Sequence, residues 1–217
     1  MISAILLGAG ESKRMGVDKL SLPWGGETVF KHCFNTLFRS RVNEIVVVLS
    51  KQNEGMKRQF EMGVSGLRRK IKVVVNPYTK RGMSTSIRRG LQVMHRKSGA
   101  ILISLGDQPF LKTRTINALI RAFELRGGGI VVPSFRGRKG HPVIFHRRYA
   151  RELMELSGDM GGKSVLLRNT RQIKIVPVKS EGVVEDIDTW KAYQKALRMR
   201  RGRDEKSDST KVGKRTR

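Results

Sequence analysis

The opening segment, residues 2–19 (ISAILLGAGESKRMGVDK), constrains the fold more than any other stretch of the chain. Ile2, Ala4, Ile5, Leu6 and Leu7 form a short apolar run, the pattern of a strand buried on both faces of a parallel sheet. The run ends at Gly8-Ala9-Gly10, where the backbone can turn sharply and come close to a ligand. Ser12, Lys13, Arg14 and Lys19 follow. A strand that opens into glycines and then into cations suits a polyphosphate, because backbone N–H groups and fixed positive charge both face the anion. Two better-known phosphate loops are excluded. A Walker loop needs Gly-Lys followed by Ser or Thr after a longer spacer. The dinucleotide fingerprint needs a third glycine three residues after Gly10, and that place is Lys13.

Further strands are predicted at Glu44–Ser50, Ile71–Val75, Ala100–Leu105 and Gly129–Pro133. Helical spacing lies between them: Val29, Phe30, Cys33, Phe34 and Leu37 behind a Thr28 cap, Ile87, Leu91 and Met94, then Ile116, Leu119, Ile120 and Phe123. Strand–helix alternation with continuously apolar strands predicts an α/β fold with a mostly parallel sheet covered on both faces. Ligands of such sheets bind beyond the carboxyl ends of the strands, where strand order reverses. After Pro133 the pattern changes. Ser134–Phe145 (SFRGRKGHPVIF) is expected as a hairpin or small lid. Helices follow at 147–156 and 161–168, strands at Ile173–Val178 and Val183–Ile187, and a last helix from about Thr189 to Arg200.

Charge narrows the partners. Lys and Arg number 45 against 18 Asp and Glu, a formal charge of +27. Such a field draws anions, so nucleic acid and phosphorylated small molecules are both candidates. Part of the excess lies after Leu197, in RMRRGRDEKSDSTKVGKRTR, which lacks apolar periodicity and is expected to be a disordered basic tail. The expected division is a domain at 1–197 and a tail at 198–217. No apolar run reaches the roughly 18–20 residues that span a bilayer. The amino terminus lacks the features of a secretion signal, and the one cysteine, Cys33, excludes an internal disulfide. Cytosol is the expected compartment.

Chemistry-bearing residues cluster at a few places. Asp107, in Leu105-Gly106-Asp107-Gln108-Pro109, follows the apolar run AILIS and should stand at the ligand edge of the sheet. Mg²⁺ favours one or two carboxylates together with phosphate oxygens and water, so Asp107 is a candidate ligand; a turn or cap aspartate is the other reading. In Glu185-Asp186-Ile187-Asp188-Thr189, strand alternation would put Asp186 and Asp188 on one face. Either could complete a metal site with Asp107, and Asp188 could instead cap the last helix. Asn76 and the loop Gly82-Met83-Ser84-Thr85-Ser86 lead into a helix and could read a base or ribose. Gly140-His141-Pro142 stands among glycines and cations. No Ser–His–Asp set with a nucleophile elbow and no His/Cys zinc spacing is present.

Six segments, LLGAGESKRMGVDK, GMSTSIRRGL, LGDQPFL, GRKGHPVIF, LSGDMGG and DIDT, run in this order from Leu6 to Thr189. Together they resemble the molybdenum cofactor cytidylyltransferases among the MobA-like NTP transferases, a group that also holds molybdopterin guanylyltransferases and methylerythritol-phosphate cytidylyltransferases. The resemblance implies a Rossmann-like, three-layer α/β/α fold of the GT-A type with a small lid. It implies a Mg²⁺-dependent enzyme that moves CMP from CTP to a phosphorylated acceptor, molybdopterin, and releases pyrophosphate, with a molybdoenzyme as client. It implies catalytic roles for Arg14, Lys19 and Asp107. Nucleotide contacts would come from Leu7, Gly8, Ala9, Gly10, Arg14, Lys19, Asn76, Gly82, Ser84, Ser86 and Asp107. Asp107 with Asp186 or Asp188 would hold the metal, and Gly140, His141 and Asp159 would face the acceptor. The cytidyl subfamily reads Leu-Ala-Ala-Gly in the first loop and the guanylyl one Leu-Ala-Gly-Gly. Here the loop is Leu7-Gly8-Ala9-Gly10: Ala9 agrees with the cytidyl pattern and Gly8 departs from both. Guanylyl transfer, or transfer to a sugar or alcohol phosphate, are the variants of this reading. A non-enzymatic basic nucleic-acid or cofactor-delivery module is the alternative of another class.

Overall fold

The computed structural model describes residues 1–10, 15–57, 60, 70–125 and 129–212, with side chains as far as Gly202. In chain order, β1 (Ile2–Gly8) is followed by a small hairpin, β2 (Pro23–Trp24) and β3 (Glu27–Thr28), and by α1 (Val29–Phe38). Next come β4 (Glu44–Ser50), β5 (Lys70–Asn76), α2 (Met83–Val93), β6 (Ala100–Leu105) and α3 (Thr113–Glu124). The second half holds β7 (Ile130–Phe135), β8 (Arg138–Lys139), β9 (Val143–His146), α4 (Ala150–Met154), α5 (Lys163–Arg168), β10 (Ile173–Pro177) and α6 (Trp190–Val212).

The main sheet has the order β10-β7-β9-β6-β1-β4-β5, with β8 on β7. From β1 the chain steps outward through β4 to β5, then returns to the opposite side of β1 at β6, all in parallel. Strand order therefore reverses at β1, where open α/β sheets bind ligands. Alternate residues serve opposite cores. Ala4, Leu6, Val47 and Leu102 face α1 and α3 on one side; Ile5, Val46, Val48 and Ile101 face α2 and α4 on the other. Burial on both faces is why these strands read as unbroken apolar runs.

Three expectations need correction. Val143–Phe145 is not part of a lid: it forms β9, antiparallel between β6 and β7, with all three residues buried. Left in a solvent-facing lid, each of these side chains would forgo about 1.5–3 kcal/mol of burial. Only the β7–β8 hairpin remains, turning at Arg136 and Gly137, both at positive φ. Val183–Ile187 is not a strand. A 3-10 turn at Glu181–Val183 leads into irregular chain that buries Val183 and Ile187; the intervening carboxylates have no place in a covered sheet. The last helix, expected to end at about Arg200, runs to Val212. The helix is anchored by Tyr193 and Ala196 in a third apolar cluster with Met15, Trp24 and Phe110. Beyond Ala196 the sequence holds no proline, and its many Arg and Lys residues are tolerated in helices. Among the described residues, no helix is long and apolar enough to cross a membrane.

At the rim opposite the strand carboxyl ends, Glu44 is fully buried. Ser3 Oγ donates to it at 2.5 Å and the His95 backbone N–H at 2.8 Å, and Lys72 Nζ lies 3.0 Å away. Burial works to raise its pKa, but these donors outweigh it and hold the carboxyl below its ordinary range. A depressed folded-state pKa stabilises the protein above the unfolded value of about 4.3, and that gain is lost as pH falls through the folded value. Urea titrations should show the wild type losing its advantage over Glu44→Gln below about pH 4, from about 1–3 kcal/mol at pH 7.

Gly8 has a packing role. A Cβ there would fall 2.4 Å from the Phe30 ring, and one on Gly106 would meet the same ring at 2.4 Å. Phe30 is fully buried beneath both. Gly8→Ala is expected to cost about 1–3 kcal/mol in thermal melts through overpacking, and the double variant with Phe30→Leu to recover part of it.

Candidate active site

β1 and β6 lie side by side, with Leu7 opposite Leu105. The Gly106 N–H donates to the Leu7 carbonyl at 2.9 Å. This pairing sets the bend after β1 directly beside Asp107. A cleft of about 400 Å³ opens at this rim, lined among others by Leu7, Ala9, Gly10, Lys19, Ser86, Asp107, Asp159, Asp186 and Asp188.

Lys19 starts a 3-10 turn, Lys19–Ser21, that Asp18 caps by accepting from the Leu20 N–H. The same carboxylate accepts from Ser21 Oγ at 2.6 Å. From this anchored turn the Lys19 side chain reaches into the cleft. Its ammonium donates to Asp107 Oδ2 at 2.5 Å and to Asp188 Oδ1 at 2.6 Å. Burial opposes its charge, but Asp107 foremost and then Asp188 overcome this and raise the pKa. The ammonium is therefore held charged between two carboxylates contributed by segments remote in sequence. Asp186 completes the acidic group at the rim, and its pKa is pushed up by burial and by repulsion from Asp188 and Asp107. The Ile187 N–H donates to the Asp107 carbonyl at 3.0 Å, which ties the acidic segment to the end of β6.

The opposite wall comes from the start of α2. Gly82 has φ +97°, and a Cβ there would meet the Gly158 carbonyl carbon at 2.4 Å. That close approach lets Asp159 Oδ1 accept from the Met83 N–H at 3.0 Å and the Gly158 carbonyl from the Ser84 N–H at 3.1 Å. Asn76, expected to touch nucleotide, is used up inside the protein: its Nδ2 donates to Thr85 Oγ1 at 2.8 Å and Ser86 Oγ at 2.9 Å, and its Oδ1 accepts from the Tyr78 N–H. It clasps the end of β5 to α2 and so positions Ser86, which lines the cleft. Ser84 is buried, with its hydroxyl unpartnered among the described residues.

Other expected residues fall elsewhere. Gly8 lies under the rim against Phe30 rather than in the lining. Gly140 and His141 stand beside the acidic segment, not in the cleft wall: a Cβ on Gly140 would collide with the Val183 carbonyl, and the His141 N–H donates to that carbonyl at 2.8 Å. His141 has its pKa lowered by burial, against the opposing pull of Asp186. Arg14, with Ser12 and Lys13, lies outside the described residues. Sequence reasoning missed Thr79 and Lys80, which also line the cleft. The available signal was the Lys80-Arg81 pair directly before Gly82.

A divalent cation fits this donor set. Asp107 Oδ1 is buried with no hydrogen-bond partner among the described residues. Its partner oxygen and Asp188 already share a cation, the Lys19 ammonium. Among the described residues no three His, Cys, Asp or Glu form a complete metal cage. Mg²⁺ and ions like it are commonly held by one or two carboxylates and completed by phosphate oxygens and water. The arrangement is thus suited to a polyanion and its counter-ion, with Lys19 and Lys80 supplying fixed positive charge.

Residues 4–173 match the MobA-like NTP transferase domain. The purine catabolism protein PucB of Bacillus subtilis is 26% identical over 197 residues, covering 89% of this chain and 95% of that protein. The molybdenum cofactor cytidylyltransferase of Escherichia coli is 24% identical over 188 residues, covering 87% and 91%. Among solved structures, Rv0371c of Mycobacterium tuberculosis superposes with a TM-score of 0.74 at 24% identity, over 91% of this chain and 98% of that one. The same protein has also been solved as a complex with manganese.

Proposed function

Because the chain belongs to the MobA-like NTP transferase family, we propose that this nucleotidyltransferase transfers CMP from CTP to molybdopterin in the cytosol, releases pyrophosphate, and passes the product to a molybdoenzyme. The observation that carries this reading is the convergence of Ala9 and Gly10, the Lys19 ammonium and the Asp107–Asp188 pair on one cleft at the switch point of the sheet. Ala9 in the loop and the similarity to a cytidylyltransferase favour CTP and molybdopterin as the pair of substrates.

Both substrates are anions, so their approach is the main barrier. Asp107 and Asp188 would hold Mg²⁺, which would offset phosphate charge. Lys19, and Lys80 across the cleft, meet the triphosphate with fixed charge. Gly10 has nothing within 4 Å of a Cβ position and leaves room for close backbone approach. An oxygen of the acceptor phosphate attacks the α-phosphorus, the bond from that phosphorus to the bridging oxygen breaks, and pyrophosphate leaves with the electron pair. The acceptor phosphate is already ionised, so no protein nucleophile or strong base is needed. Positioning and electrostatics carry the rate.

The test is incubation with labelled CTP or GTP, Mg²⁺ and molybdopterin, followed by measurement of pyrophosphate and product. Pyrophosphate release that depends on molybdopterin and favours CTP supports the proposal. A GTP preference reassigns the donor, and release only with a sugar or alcohol phosphate reassigns the acceptor. No release with any pairing overturns the transferase reading.

A further inference from the structure

We propose that Lys19 is a built-in counter-ion that keeps the Asp107–Asp188 pair closed to free divalent cations, so that metal enters only together with a triphosphate. The inference rests on the transferase reading for the identity of the anion. Its geometric basis is independent of that reading. The ammonium sits 2.5 Å from Asp107 Oδ2 and 2.6 Å from Asp188 Oδ1. A divalent ion held by these two carboxylates would compete with the ammonium for the space and the negative charge between them. Charge and space therefore exclude simultaneous occupancy.

The tether makes this exclusion durable. Lys19 leaves a short turn whose Leu20 N–H is capped by Asp18, and its side chain is only 12% exposed. A free hydrated ion must lose water and displace an already neutralising cation from both carboxylates. A triphosphate changes the balance. It brings several negative charges into the cleft beside Gly10 and offers Lys19 a new partner, and its own bound ion can then take the vacated carboxylates. Metal and triphosphate are thereby coupled through one residue, and the coupling is reciprocal.

The experiment measures Mn²⁺ binding to the full chain without nucleotide, by electron paramagnetic resonance of the free ion. Lys19→Met should bind Mn²⁺ about tenfold or more tightly than wild type, within the usual range of site coupling. Lys19→Arg, which keeps the charge, should stay near wild type. The methionine variant should at the same time bind a non-hydrolysable CTP analogue more weakly, so one substitution moves the two affinities in opposite directions. Lys19→Gln keeps a donor between the carboxylates without the charge and gives the same comparison if the methionine variant does not fold. Equal Mn²⁺ affinity in wild type and the neutral variants overturns the proposal, as does a rise in Lys19→Arg equal to that in Lys19→Met. If the wild type turns over CTP while these Mn²⁺ affinities are equal, only this inference fails. If no nucleotide is used, the transferase reading fails and the Mn²⁺ comparison still decides this one.

Discussion

Lys19→Ala is expected to lower nucleotidyl transfer by about two to three orders of magnitude, the usual loss when one preorganised charge is removed from a site where negative charge must be brought together. The side chain is mostly buried at the junction of three segments: its own turn, the end of β6 and the acidic stretch before α6. Alanine removes the ammonium that Asp107 Oδ2 and Asp188 Oδ1 share, and with it one fixed positive charge from the cleft. Loss in kcat as well as rise in KM is expected, since the ammonium serves both binding and orientation. His141→Ala is the contrast. His141 lies beside the acidic segment, outside the cleft wall, with its pKa lowered by burial. Its removal should cost less than about tenfold, through a small shift of that segment. Steady-state pyrophosphate release with saturating Mg²⁺ checks both. Near-normal transfer by Lys19→Ala, or a larger loss from His141→Ala, would reverse the proposed roles.

Asp107→Asn should reduce transfer by about a thousandfold, because it removes a charge from the pair that would hold the metal while conserving shape. The folded state should change little, since asparagine still accepts from Lys19 and the Asp107 backbone contacts are untouched. The acidic stretch offers a graded comparison. Asp188 shares the Lys19 ammonium with Asp107, whereas Asp186 acts on both through repulsion. Asp188→Asn should therefore lose clearly more activity than Asp186→Asn. Measuring rate against Mg²⁺ concentration separates the effects: Asp107→Asn and Asp188→Asn should raise the Mg²⁺ requirement, and Asp186→Asn should leave it nearly unchanged. Equal losses in all three would show that the carboxylates act only as a diffuse acidic field.

The legible parts of this molecule were those governed by local pattern. The runs at Ile2–Gly8, Glu44–Ser50 and Ala100–Leu105 are apolar at successive positions, which only burial on both faces explains. Once they are parallel neighbours, the glycine bend after Leu7 and the carboxylate after Leu105 must share a rim. Contacts between remote segments were not legible. Nothing local marks Asn76 as a clasp whose polar atoms are spent on Thr85, Ser86 and Tyr78. Nothing local ties Gly8 to the Phe30 ring. Alternation suggested a strand for Val183–Ile187, but its carboxylates belong at the rim of a cleft and the chain there is irregular.

The sequence by itself determined the layered α/β architecture with a mostly parallel sheet and the kind of ligand its first loop suits. These follow from side-chain period and from the chemistry of glycine and cations, which act over a few residues. Tertiary structure alone decided that Val143–His146 enters the sheet between β6 and β7, and that Lys19 meets two carboxylates rather than solvent. Both depend on which distant segments become neighbours, and that is set by the global competition to bury apolar surface and pair buried charge.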